Sequence, residues 1–366
     1  MGREFAAAAA KWSALLDLDV EPVVTGVCDT NPACFDWYTE NFPSVRVKTT
    51  DYRRLLESDE IDAVYCAVPH NLHADVYTDI IRAGKHLLGE KPFGYDLEAN
   101  ARIMAEVRRH PEVFVRVSSE FPFYPGAQRI FEAARAGRFG KILEVRSGFR
   151  HSFDLDPNKP INWSRVAEIN GEYGCMGDLG MHAVHLPLRA GWAPRSVYAM
   201  LSNVFTERPG KDGKMVPCDT WDNAILATEV ESGDQRFPMI VETKRIAPGD
   251  TNTWYIEVLG TERSMAFSTE YPRTLRLMEY QRGGEQAWQS IALGFNSAYR
   301  TITNSKFEFG FADAFLQMCG AFMDELAHGG EMIQPFGCAT PEEAELSHRI
   351  FTAALRSEKA RTVAEV

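Results

Sequence analysis

AVYCAVPHNLHADVYTDIIRAGKHLLGEKP, residues 63–92, decides how the front of this chain folds. Its opening run, AVYCAV (63–68), is short and apolar throughout, as a strand buried on both faces must be. LHADVYTDIIRAG (72–84) then carries apolar residues at helical spacing and closes on Gly84, the residue type that most readily ends a helix. HLLGEKP (86–92) is a second apolar strand running into a loop. Strand, helix and strand in this order form the repeating unit of a parallel sheet covered by helices.

The alternation extends on both sides. A helix over about 3–16, the strand VVTGVCD (23–29), the helix DWYTENF (36–42), a short strand near Val45 and Val47, and the helix YRRLLES (52–58) precede the quoted stretch. Asp96 is placed to cap a helix from Leu97 to Arg109, and VFVRV (113–117) follows as a strand. Residues 1–120 therefore read as a Rossmann-like, doubly wound α/β domain that binds a dinucleotide. From about residue 140 the apolar period falls to two. KILEVRSGFR, RSVYAMLSNV, WDNAILATEV, MIVETKRI, WYIEVLG and TLRLMEY predict one large, open, mostly antiparallel sheet, interrupted by a helix at about 176–191. That makes 121–340 an α+β substrate-binding and oligomerisation domain, with Tyr198, Met200 and Leu226 expected on the exposed sheet face of a homodimer or homotetramer. Helices over about 310–328 and 341–358 finish the chain, the second opened by a capping box of Thr340 and Glu343 with Pro341 between them. Residues 341–366 are expected to pack back on the body.

A chain of 366 residues is long enough for two cores, and 45% hydrophobic with 25% charged residues is the composition of a globular protein. The net charge of -12, with no basic cluster, disfavours nucleic acid and suits small neutral substrates. No apolar run reaches the roughly 18 residues of a membrane span. Seven cysteines without a CxxC pair favour a reducing compartment, and the alanine run after Gly2 is broken by Lys11, Trp12 and Asp17, so it reads as a helix of the mature protein. A cytoplasmic location follows from these signs.

A dinucleotide-binding sheet opens with a strand and then G-x-G-x-x-G, whose glycines bring the backbone against a pyrophosphate at a helix N-terminus. Here a helix follows Gly2 at once, as though Gly2 were the last glycine of that fingerprint and the first strand were missing, through a late start of the sequence or a true lack of the element. Asp29 ends a strand where a carboxylate can take both ribose hydroxyls and repel a 2′-phosphate, which favours NAD over NADP; it can also simply start the turn Asp-Thr-Asn-Pro. Lys91 precedes Pro92 and is held extended at a strand end where ligands bind, although the local residues alone fit a surface lysine equally well. Asp178 and His182, four apart, share a helix face, and the glycines of NGEYGCMGDLGMH (170–182) permit a ligand to approach the backbone. A metal on Asp178, His182 and His185 is not expected: no fourth ligand has suitable spacing, and Lys91 would oppose a cation.

These pieces together resemble the Gfo/Idh/MocA oxidoreductases, which act mostly on sugars and inositols. The resemblance spans nearly the whole chain and rests on Asp29, AVPHNLH (67–73), GEKP (89–92), GDLGMHAVHL (177–186) and the terminal ATPEEAELSHRIFTAAL helix. It implies that Gly2, Asp29, Val68, Pro69, His70, Asn71 and His73 lie along NAD, with Glu90 and Lys91 at the nicotinamide end. It implies further that His182 is the general base, that Lys91 stabilises the alkoxide and relays the proton, and that Asp178 positions the hydroxyl, the base being either Lys91 or His182. The activity implied is hydride transfer between NAD and a secondary hydroxyl of a sugar, glycoside or cyclitol. Two alternatives are a lyase or glycosidase that retains NAD through transient oxidation, and a sugar-sensing relative without catalysis. Arg150, Trp163, Arg165, Lys244 and Arg245 are candidates for the substrate wall, because guanidinium and indole suit hydroxyls and ring faces. His185 in place of an acid, and Ser118-Ser119-Glu120-Phe121 in place of a more basic segment, depart from the family pattern and bear on the substrate.

Overall fold

The computed structural model describes residues 1–366. Along the front run α1 (Gly2–Ala10), β1 (Gly26–Cys28), α2 (Phe35–Asn41), β2 (Val47–Thr49), α3 (Arg53–Leu56), β3 (Ala63–Cys66), α4 (His73–Arg82), β4 (His86–Gly89), α5 (Leu97–Arg109) and β5 (Val115–Val117). In α4 the apolar stripe read from the sequence is the buried one: Val76, Tyr77, Ile80 and Ile81 all turn inward. Asp96 caps α5 as expected, accepting the Ala99 N–H at 2.7 Å. The expected helix over 3–16 is shorter: α1 stops at Ala10, and a 3₁₀ turn over Trp12–Ala14 follows.

The five front strands fall into two separate parallel sheets, β2–β1 and β3–β4–β5. No ladder joins β1 to β3, where a doubly wound sheet carries its first strand. The helix α1 packs instead toward the back of the molecule, with Ala8 in the main core and Phe5 stacked on Tyr65 at 4.6 Å.

Behind come α6 (Pro125–Arg135), β6 (Ile142–Arg150), α7 (Ala167–Asn170), α8 (Cys175–Arg189), β7 (Pro194–Ser202), β8 (Glu207–Pro209), β9 (Met215–Pro217), β10 (Asn223–Ser232), β11 (Gln235–Lys244), β12 (Thr253–Gly260), β13 (Arg263–Ser268), β14 (Thr274–Glu279) and β15 (Gln289–Ala292). Then α9 (Phe311–His328), α10 (Pro341–Ala360) and β16 (Ala364–Glu365) close the chain. Nine strands make the large sheet, ordered β15-β14-β13-β12-β6-β11-β10-β7-β16, and only β6 and β11 run parallel. Sequence reading passed over β13, β15 and β16. The capping box of α10 is formed, with Thr340 Oγ1 accepting the Glu343 N–H at 3.2 Å and Glu343 accepting the Thr340 N–H at 2.9 Å.

The helix α8 lies on the inner face of this sheet, where Leu179, Ala183 and Leu186 meet Val145, Val241 and Ile256. Of the glycines at its start, Gly180 and Gly171 serve packing within the protein, while Gly177 has room beside Pro92. A Cβ on Gly180 would stand 2.2 Å from the Phe351 ring of α10, and Gly171, at φ 90°, lies against the Tyr95 carbonyl, where a Cβ would stand 2.0 Å away. Leu226, expected on the exposed face, is on the inner one and buried; strand parity puts its neighbour Ile225 outside with Met200.

Candidate active site

The loops after β3 and β4 face the first turns of α8. Lys91, two residues beyond β4, donates from Nζ to the main-chain carbonyl of Asp178 at 2.7 Å. His182 follows Asp178 by one turn of the same helix and is buried, with its carbonyl held at 2.7 Å by the indole N–H of Trp254 on β12. The three residues singled out from the sequence therefore converge.

The Asp178 carboxylate is occupied. Arg245, just beyond β11 and fully buried, pairs with Oδ2 and also donates to the carbonyl of Ser164 at 2.9 Å. Oδ1 faces His70 Nε2 at 3.5 Å, and the Asn170 amide, turned so that all its neighbours are satisfied, donates to Oδ1 at 3.0 Å and accepts from Arg245 at 3.2 Å. Burial alone would raise the Asp178 pKa, but the charges of Arg245, His70 and Lys91 outweigh it and hold the carboxyl below its ordinary value. His70 Nδ1 lies 3.2 Å from the Asn170 main-chain carbonyl and accepts from the turned Asn170 amide at 3.3 Å, so the ring proton stands on Nε2, towards Asp178 Oδ1. Burial lowers the His70 pKa to about 4 against the pull of Asp178, so the ring is neutral near pH 7.

His182 is held neutral as well, well below its ordinary pKa, by burial and then by the charges of Lys91 and His185. Its Nδ1 lies 3.4 Å from Ser119 Oγ and 3.8 Å from a carboxylate oxygen of Glu120, and the ring meets Phe121 and Phe149 edge-on. No protein group bonds Nε2. Neutral imidazole with a free ring nitrogen, beside a fixed ammonium, can exchange a proton with a hydroxyl.

Several expected residues sit elsewhere. His73 is wholly buried, with Nε2 at 3.1 Å from the Val68 carbonyl and Nδ1 accepting the Gly94 N–H at 3.3 Å, so it braces the two loops internally and leaves no atom for a cofactor. Arg165, 1% exposed, is spent on Asp154 and Asp222 and ties down the 151–170 loop. Arg150 and Lys244 end their strands on the open sheet face: Arg150 stacks on Tyr255, Lys244 donates to Glu242 at 2.7 Å, and both line a cavity of about 480 Å³ with Met200, Asn223 and Ile225. Trp163, 42% exposed, does border the site, edge-on to His70 at 4.8 Å. Sequence reading missed Asn170 and Trp254, neither of which carries a motif, and had Ser119 only within the segment 118–121 that departs from the family pattern. His70, expected along the cofactor in the loop after β3, also turns its Nε2 to Asp178.

Of the residues expected along NAD, Val68, Pro69, His70 and Asn71 follow β3, and Glu90 and Lys91 follow β4, all at carboxyl ends of parallel strands. They fit the group. The Asn71 Oδ1 is buried without a partner, and Asp29, exposed just past β1, uses only Oδ1 in its turn, accepting the Asn31 N–H at 2.8 Å, which leaves its other oxygen for a ribose. Gly2 begins α1, where a Cβ would stand 2.9 Å from the Tyr38 hydroxyl.

Comparison with known proteins agrees with this arrangement. The family model described as oxidoreductase family, NAD-binding Rossmann fold, matches residues 2–118, and the C-terminal domain of the same family matches residues 127–266. Levoglucosan dehydrogenase of Pseudarthrobacter phenanthrenivorans is 26% identical over 262 residues, 68% of this chain and 66% of that protein. The dTDP-3,4-didehydro-2,6-dideoxy-alpha-D-glucose 3-reductase of Actinomadura kijaniata is 32% identical over 179 residues, 48% of this chain and 50% of the reductase. These matches span between half and two thirds of the curated relatives. The structure of levoglucosan dehydrogenase in complex with NADH and levoglucosan has the same fold, with a TM-score of 0.88 at 22% identity over 100% of this chain and 96% of that one. The chain belongs to the Gfo/Idh/MocA family of oxidoreductases and carries that family's NAD-binding Rossmann domain.

Proposed function

We propose that the protein interconverts a secondary alcohol and a ketone on a neutral sugar, glycoside or cyclitol, with NAD as the hydride partner. The observation that carries this is the fixing of the Lys91 ammonium on the first turn of α8, 2.7 Å from the Asp178 carbonyl, with His182 one turn further along. Asp29, the 68–71 loop and Glu90-Lys91 would hold NAD, which would supply the hydride acceptor when bound. Lys91 provides a positive charge for an oxygen that turns anionic as it loses its proton. His182 Nε2, free and neutral, takes that proton. Asp178 Oδ1 and His70 Nε2, an acceptor and a donor side by side, suit a second hydroxyl of the substrate, and the Trp163 ring suits its apolar face. An uncharged polyol fits better than an acid because the Asp178 carboxylate already borders the space and the protein carries -12 overall. The names of the sugar-active relatives support the substrate class.

The open sheet face supports a homodimer or homotetramer, since Met200 is 49% exposed there beside the half-buried Tyr198 and Ile225. All seven cysteines are free, which supports a reducing, cytoplasmic setting, and no helix is long and apolar enough to cross a membrane. The test is a panel of neutral pyranoses, anhydrosugars and cyclitols offered with NAD, following NADH absorbance. Release of NADH with a member of the panel is expected. Binding of both ligands without turnover would favour a sensing role.

A further inference from the structure

Resting on the alcohol–ketone reaction proposed above, we infer that Glu120 is a positioning residue that stores the proton of His182, so that its protonation state decides whether the site oxidises or reduces. Most buried acids of the chain have a cation or a hydroxyl as partner: Glu90 takes the Tyr65 hydroxyl, and Asp324 takes the Tyr299 hydroxyl and His328. Asp154 and Asp222 share Arg165, Glu106 has Arg82, and Asp178 has Arg245. Glu120 is 4% exposed and has no guanidinium or ammonium bridge; the basic atom nearest its carboxylate is Nδ1 of His182, at 3.8 Å. That ring presents its other nitrogen unbonded, so the carboxyl and the reaction space lie on opposite sides of one imidazole. The separation is about 1 Å beyond a hydrogen bond, a gap of the kind that catalytic pairs close when a ligand enters.

The groups around Glu120 set what proton it holds. Glu90 approaches from the end of β4, itself taking the Tyr65 hydroxyl at 2.5 Å, and Lys91 follows it; His182 stands on α8, Tyr124 at the start of α6, and Cys319 on α9. Burial, then the like charge of Glu90, raise the Glu120 pKa to about 8, and Lys91 only partly opposes them. At neutral pH the carboxyl carries its proton.

The exchange balances in both directions. In reduction the carbonyl carbon gains hydride from NADH, its oxygen takes the Nε2 proton of His182, and Glu120 passes its own proton to Nδ1, ending as carboxylate. In oxidation the hydroxyl proton goes to Nε2, the Nδ1 proton goes to a Glu120 carboxylate, and hydride leaves for NAD. Neutral Glu120 therefore serves reduction and ionised Glu120 serves oxidation.

The experiment is an infrared pH titration of the protein and of Glu120→Gln, a neutral variant of the same shape, alongside rate profiles in both directions. A carboxylic acid band present at pH 7, lost on titration near pH 8 and missing from Glu120→Gln, is expected, and Glu90→Gln should move its midpoint downward. Absence of such a band overturns the inference, whether or not any sugar is turned over. If turnover is found, oxidation should rise and reduction fall through the same pH in the parent protein, with the step gone and oxidation at pH 9 lowered roughly tenfold or more in Glu120→Gln. A variant profile identical to the parent's would show the carboxyl to be only a filler of space. A panel without turnover, with the band present, would sink the reaction and leave the proton on Glu120 established.

Discussion

Lys91 bonds the main-chain carbonyl of Asp178, at 2.7 Å, and not its carboxylate. The carboxylate is held by Arg245. The ammonium thus keeps donors free for an incoming oxygen, while the helix fixes its position. Lys91→Ala is expected to lower kcat by roughly a hundredfold or more with little change in melting temperature. Lys91→Arg should not restore the rate, because a planar fork cannot reproduce a point charge at that depth. Steady-state kinetics and a thermal melt on each variant check both statements.

Arg245 makes a structural prediction. Its replacement by Met leaves the Asp178 carboxylate partly buried without its cation, a change that costs about 3 kcal/mol in comparable sites. Urea unfolding should show the loss, and the double variant Arg245→Met, Asp178→Asn should recover part of it, since no uncompensated charge remains.

How far the sequence reached is visible in this same pair. Period-two reading located β11 and its end, but Lys244 and Arg245 are neighbours and point to opposite faces of the sheet. Nothing local says which face is inward; that is set by α8 lying against one side. The same ambiguity displaced Leu226 and Arg150. Lys91, Asp178 and His182 were legible because a proline, a helical spacing and a strand end each constrain them locally, with a family pattern joining them across the chain. Asn170 and Trp254 were not, because long-range contacts alone give them a role. His73 was misassigned because a histidine after a strand-end loop looks the same whether it faces a ligand or, as here, bonds Val68 and Gly94 internally.

The buried histidines predict a loss of stability in acid. His70, His151 and His348 are each lowered to about 4, and His73, His182 and His185 fall well below the ordinary 6.5, in every case chiefly by burial. The unfolded chain then binds more protons than the folded one between pH 6.5 and 4, so stability must fall as pH is lowered through that window. Asp178, whose pKa is depressed, adds to the loss at still lower pH. Melting temperatures taken from pH 7 to pH 4 should decline steadily; a flat profile would mean that these rings are not held neutral.

The open sheet face predicts a separation of assembly from chemistry. Ile225→Glu should give a smaller species on size-exclusion chromatography, since a charge is poorly tolerated in an interface core. Arg150→Ala and Lys244→Ala, which touch no group of the Lys91–His182 site, should keep kcat within about threefold. A hundredfold loss in either would return these side chains to the substrate wall.

His182 and Lys91 working on one hydroxyl is the point on which all else turns. It is tested by NADH formation from NAD and a neutral polyol substrate, compared among the parent protein, Lys91→Ala and His182→Ala at equal concentration. Release of NADH by the parent, reduced roughly a hundredfold or more in each variant, is the expected result. Parent-like rates in both variants would contradict it.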